Sequence, residues 1–243
     1  MRTKLPTPRG PDEREAHEGR PYELWMPSDP KPWPGMVILH GAGSRKENHA
    51  DFARACTSRG WAALTFDQRG HGESDDAMSP AAVDDVAKMA RFLSGIDGVD
   101  PGRICVRGSS MGGWIALHAA ARSPEIAAAI AICPAGEEHL ALGLRRGELE
   151  MRADEDALAA WLGEHDLREA MERIGRKPVI ILHAEGDEQI PYEWSQELHE
   201  RAADPRRLIV LPDGHHRSVQ HDAELQGVAL RWIERALADG ADD

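Results

Sequence analysis

No stretch of this chain runs apolar for the roughly 20 residues that a membrane helix needs, so no membrane span is expected. Met1 to Gly19 is charged and lacks the apolar segment of a secretory leader, which makes the cytoplasm the expected compartment. Cysteine is scarce. Cys56, Cys105 and Cys133 form an odd set without a C-x-x-C spacing, so no disulfide framework is expected. Cys105 and Cys133 fall in expected strands, where a thiol behaves as a small buried hydrophobe. The 12 histidines include no H-E-x-x-H pair, and no metal site is expected. No G-x-G-x-x-G follows an expected strand, so no dinucleotide and no other cofactor is implied. Basic residues are outnumbered, 29 against 42, for a formal net charge of -13. That balance excludes nucleic acid and anionic membrane as main partners, since both are polyanions.

What is present is a globular α/β pattern. The 243 residues, 41% of them hydrophobic, suffice for one full core. Residues 1–19 read as a loose lead-in, and residues 20–26 as an edge strand. Short continuous apolar runs at residues 36–40, 61–66 and 178–183 read as strands covered on both faces. Further strands are expected at 104–106, 126–133 and 207–211, with Asp100-Pro101-Gly102 as a turn. Helical spacing marks residues 48–59, 80–93, 111–122, 192–203 and 221–237. Strand and helix alternate, which implies right-handed crossovers and a doubly wound, mostly parallel sheet. Residues 136–175 break the rhythm with two or three helical segments and no strand. The expectation is one α/β domain over 1–243 with a helical cap insertion at about 136–175, lying over the carboxyl edge of the sheet.

The chemistry concentrates at Gly108-Ser109-Ser110-Met111-Gly112. This G-x-S-x-G sits between an expected strand and an expected helix, where a sharp turn exposes the serine hydroxyl. Ser110 fits the frame and Ser109 does not, because Arg107 and Met111 would then occupy the glycine positions. A serine hydroxyl needs a base within hydrogen-bond reach, and the base needs an orienting carboxylate. In a doubly wound sheet both should follow the carboxyl ends of strands. After the run at 178–183 come Glu185, Asp187 and Glu188. Asp187 follows a glycine and precedes a proline-bounded loop, which suits a fixed short carboxylate. After 207–211 come His215 and His216, of which only one can act as base; His221 is a further candidate. These three histidines could hold a metal, but a triad accounts for His216 better.

Four features together resemble the α/β-hydrolase superfamily of serine hydrolases, and carboxylesterases in particular. They are His40-Gly41-Ala42-Gly43, Asp67-x-Arg69-Gly70-x-Gly72-x-Ser74, the Ser110 elbow, and the chain order Ser110, Asp187, His216. The resemblance covers the chain from about residue 20. It implies a G-x-His pattern at the base, which favours His216 over His215. It implies an oxyanion hole made by the backbone N–H groups of Ala42 and Met111. His40 and His71 then hold loops rather than act. The implied activity is hydrolysis of a small-molecule carboxylic ester; the modest length and apolar residues of the 136–175 insertion point to a small to medium acyl group. Amide, peptide or thioester hydrolysis by the same triad is the alternative, and a catalytically inactive binding module is the alternative of another class.

Overall fold

The structure, a computed structural model, describes residues 8–239; residues 1–7 of the expected lead-in lie outside it. The strands are β1 (Glu13–His17), β2 (Arg20–Trp25), β3 (Trp33–Leu39), β4 (Ala62–Phe66), β5 (Val99–Ser109), β6 (Ile126–Ile132), β7 (Val179–Ala184) and β8 (Arg206–Leu211). The α-helices are α1 (Ala50–Thr57), α2 (Ala81–Ser94), α3 (Met111–Arg122), α4 (Glu137–Arg145), α5 (Glu155–Gly163), α6 (Leu167–Ile174), α7 (Tyr192–Arg201) and α8 (Ala223–Asp239). One sheet carries all eight strands in the order β1-β2-β4-β3-β5-β6-β7-β8. From β4 to β8 every pairing is parallel, while β1–β2 and β2–β4 are antiparallel.

The parallel strands are buried on both faces, which is why they read as continuous apolar runs. Each residue of β3, β4 and β7 is buried. One core lies under α1 and α8 and joins Met36, Ile38, Phe52, Trp61, Ile180 and Ile233. The other joins Val37, Leu39, Val86, Leu93, Val106 and Leu117 under α2 and α3. Every residue of α3 up to Ala120 is buried, and its glycines and alanines let it lie close to the sheet.

Three expectations need correction. Residues 13–17 are not lead-in; they form the edge strand β1, paired with β2 from Glu13↔Leu24 to His17↔Arg20. The hairpin closes on Glu18 and Gly19, both with positive φ (46° and 75°), as a tight hairpin turn of the I′ kind requires. Residues 20–25 are consequently not an edge, and Tyr22, Leu24 and Trp25 are buried. Asp100 to Gly102 lies inside β5, where a register shift between Trp33 and Gly35 absorbs the irregularity.

The segment between β6 and β7 holds three helices, α4, α5 and α6, and no strand, within the 136–175 stretch where two or three helical segments are expected. Asp154 caps α5 by accepting from the Ala157 N–H at 3.1 Å, and Asp166 caps α6 by accepting from Arg168 at 2.8 Å, as short polar residues do at helix starts. The buried stripe Leu167, Ala170, Met171 and Ile174 seats α6 against α3. It therefore belongs to the layer on the sheet face, whereas α4 and the segment 146–150 border the cavity above the strand ends.

Candidate active site

Ser110 stands between β5 and α3 with φ 52° and ψ -120°. A side-chain residue adopts positive φ only when its surroundings enforce it. Here its N–H donates to the Ile132 carbonyl at 2.9 Å, and its carbonyl accepts from Gly113, Trp114 and Ala135. The flanking glycines permit the crossing of backbones. A Cβ at Gly108 would overlap the Gly112 carbonyl, and one at Gly112 would overlap that of His40. Ser109 is buried in β5, away from the cavity lining.

His216 follows β8, and Asp187 follows β7. The His216 Nδ1–H donates to Asp187 Oδ2 at 2.7 Å, so Nε2 is left as the acceptor of the ring. The other carboxylate oxygen, Oδ1, accepts from the N–H groups of Gln189 and Ile190, both at 2.9 Å. Burial opposes ionisation of Asp187, but the hydrogen bonds from His183, His216 and Ile190 outweigh it and hold the carboxyl well below its ordinary range. The group is thus a fixed anion.

The rival acids and histidines are placed differently. Glu185 is exposed. Glu188 accepts from the His216 backbone N–H at 3.1 Å, and so fixes the base's main chain instead of its ring. His215 is exposed, with Nδ1 accepting from the Arg217 N–H. His221 pairs with Asp51 at 2.9 Å and stacks on His49. The thiol of Cys133, next to Asp187, is pushed up by burial. Cys133, Asp187 and His216 bring donor atoms within 4.8 Å of one another, but those of Asp187 and His216 already bond each other.

The loop after β3 is held from two sides. Burial and the nearby His71 push His40 down to about 4, and the neutral ring bridges Gly41 and Gln68: Nδ1–H donates to the Gly41 carbonyl at 2.8 Å and Nε2 accepts from the Gln68 N–H at 3.2 Å. The Gly43 N–H donates to the Glu150 carbonyl at 3.1 Å, tying this loop to the segment after α4. Met111 opens α3, so its N–H is among the first-turn donors that lack an intrahelical partner.

Ser110, His216, Gly41 and Ala42 line one open cavity of about 700 Å³. Its wall also carries Arg146, Glu148, Glu150, Glu188 and Arg217. Leu140 and Leu149 separate it from a small apolar pocket of about 20 Å³ floored by Met111, Trp114 and Trp161. Reasoning from sequence missed His183, the Glu188 contact and this division of the space. His183 looked like the last residue of an apolar run, and only its position before an acidic loop could have singled it out.

A family profile described as serine aminopeptidase, S33, matches residues 30–165, and one described as TAP-like protein matches residues 159–233. With this sheet order and this elbow, the chain belongs to the α/β-hydrolase superfamily. Among its relatives, the uncharacterized protein Rv2307c of Mycobacterium tuberculosis is 29% identical over 219 residues, covering 86% of this chain and 71% of that protein. The mitochondrial palmitoyl-protein thioesterase ABHD10 of Mus musculus is 29% identical over 207 residues, covering 76% and 69%. Two solved structures share the fold. The α/β-hydrolase GrgF from Penicillium sp. sh18 has a TM-score of 0.77 at 19% identity, over 90% of this chain and 94% of that one. Est1E from Butyrivibrio proteoclasticus, bound to ferulic acid, has 0.73 at 23% identity, over 94% and 99%. No helix among the described residues is long and apolar enough to cross a membrane.

Proposed function

We propose that this hydrolase cleaves carboxylic esters of small to medium acyl groups through a Ser110 acyl-enzyme. The observation that carries the reading is the 2.7 Å bond from His216 Nδ1 to Asp187, made on the same cavity that Ser110 lines. Ser110 Oγ attacks the ester carbonyl while His216 Nε2 takes its proton. The Ala42 and Met111 N–H groups stabilise the oxyanion, a contribution of about 10² to 10³ in rate per donor in comparable sites. Collapse expels the alcohol, to which His216 returns the proton. Water then attacks the acyl-enzyme with His216 again as base. Asp187 holds the ring in the Nδ1–H form and stabilises its charged state. The chemistry draws on side chains and backbone alone, in a cytoplasmic setting, with one small-molecule ester as partner. The segment from α4 to α5 acts as the cap within a single domain.

The division of the cavity supports the acyl preference. The apolar pocket beside Met111 is small, and the larger space is lined by charged groups. The first leaves room for about one water, so it takes at most the end of a short acyl chain, and a bulky polar alcohol fits the second. Turnover of a p-nitrophenyl ester series is expected to fall by at least about tenfold between butyrate and palmitate, the scale set by misfit in an apolar pocket. The mouse relative, a palmitoyl-protein thioesterase, makes thioesters the second reading. Acyl thioesters and aminoacyl amides run beside the esters separate the two. A preference for palmitoyl thioester would replace the ester reading.

A further inference from the structure

His183 and Ser195 form a buried hydrogen-bonded pair beside Asp187. His183, at the end of β7, is fully buried, as is Ser195 in α7. Its Nε2 lies 2.9 Å from the Ile190 carbonyl and 3.3 Å from Asp187 Oδ2. Both neighbours are acceptors, so Nε2 must carry the hydrogen; a lone pair there would face two oxygens. Nδ1 is then an acceptor, and Ser195 Oγ, 2.7 Å away, donates to it. The His183 Nε2–H thus donates to the Ile190 carbonyl and has Asp187 Oδ2 as a second, longer acceptor, the same oxygen that His216 reaches at 2.7 Å.

We propose that His183 and Ser195 are positioning residues, which fix the Asp187 carboxylate and divide its charge between two imidazole donors. This rests on the hydrolase reading of Ser110, Asp187 and His216. The division matters because a carboxylate that accepts several hydrogen bonds is a weaker partner for each. Without His183 the full charge of Asp187 would fall on His216, and the base would hold its proton to higher pH. The titratable groups facing Asp187 are His183 from β7, Glu188 from the loop after β7, His216, Cys133 after β6 and His139 from α4.

The test is the pH profile of Ser110 modification by a fluorophosphonate, measured on the full chain. His183→Met removes the donor. Its acidic limb is expected to move up by about one pH unit. His183→Gln keeps an N–H near the same place and is expected to bring the limb back toward the parent. A purely structural role for His183 would lower the rate at every pH without moving the limb, and coincident limbs in folded His183→Met would overturn the proposal. Should that variant not fold, ¹⁵N NMR of the parent histidine rings decides. The Nε2–H form of His183 is expected, and the Nδ1–H form would overturn the proposal. Unmodified Ser110 in the parent would instead overturn the hydrolase reading, and the ring measurement still judges His183 separately.

Discussion

Ser110→Ala is expected to lower kcat/KM for a short p-nitrophenyl ester by about 10⁴ to 10⁶, the range seen when a triad serine is removed. No neighbour can replace it. Ser109 is buried with its side chain inside β5. Cys133 is buried, and burial favours its neutral thiol over the thiolate, the form that attacks. His216 would remain bonded to Asp187 but would have only water to activate. The residual rate should come from the oxyanion donors and from binding. Steady-state kinetics on the folded variant checks this, and retention above about a hundredth of the parent rate contradicts the acyl-enzyme route.

Asp187→Asn is expected to cost about 10⁴ in kcat, as the corresponding change does in serine proteases. The substitution keeps an acceptor for the Gln189 and Ile190 N–H groups, so the loop should persist. What changes is the atom that faces the two imidazoles. An amide nitrogen there would meet the His183 and His216 N–H groups as a donor, and His216 would turn to its other tautomer. Its Nε2 would then carry a proton and could no longer take one from Ser110. Comparable thermal unfolding together with the loss of rate would locate the effect in the base. A loss below about tenfold would show that Asp187 does not orient His216.

Much of this site was legible because its parts carry strong local signals. The Ser110 elbow needs glycine on both sides for steric reasons that the structure makes explicit, since Gly112 lies against the His40 carbonyl. Strands β3, β4 and β7 were readable because burial on both faces leaves unbroken apolar runs. Strand β1 was not, because Glu-Arg-Glu-Ala-His is almost wholly exposed and has no apolar face. Its turn, Glu18-Gly19, lacks the Asn-Gly or Asp-Gly that flags a hairpin. His183 and Glu188 escaped for another reason. Their roles depend on where the loop after β7 folds back, which local pattern does not encode. Likewise α6 has the same helical spacing as α4 and α5, and only contact with α3 assigns it to the sheet face.

The central claim is that Ser110 is an activated nucleophile. Intact-mass and peptide analysis after treatment of the folded chain with a fluorophosphonate tests it most directly. The account predicts a single phosphonyl adduct on the peptide holding Ser110, absent from Ser110→Ala and lost on prior denaturation. A folded parent protein that takes up no adduct, or carries it on another residue, would contradict it.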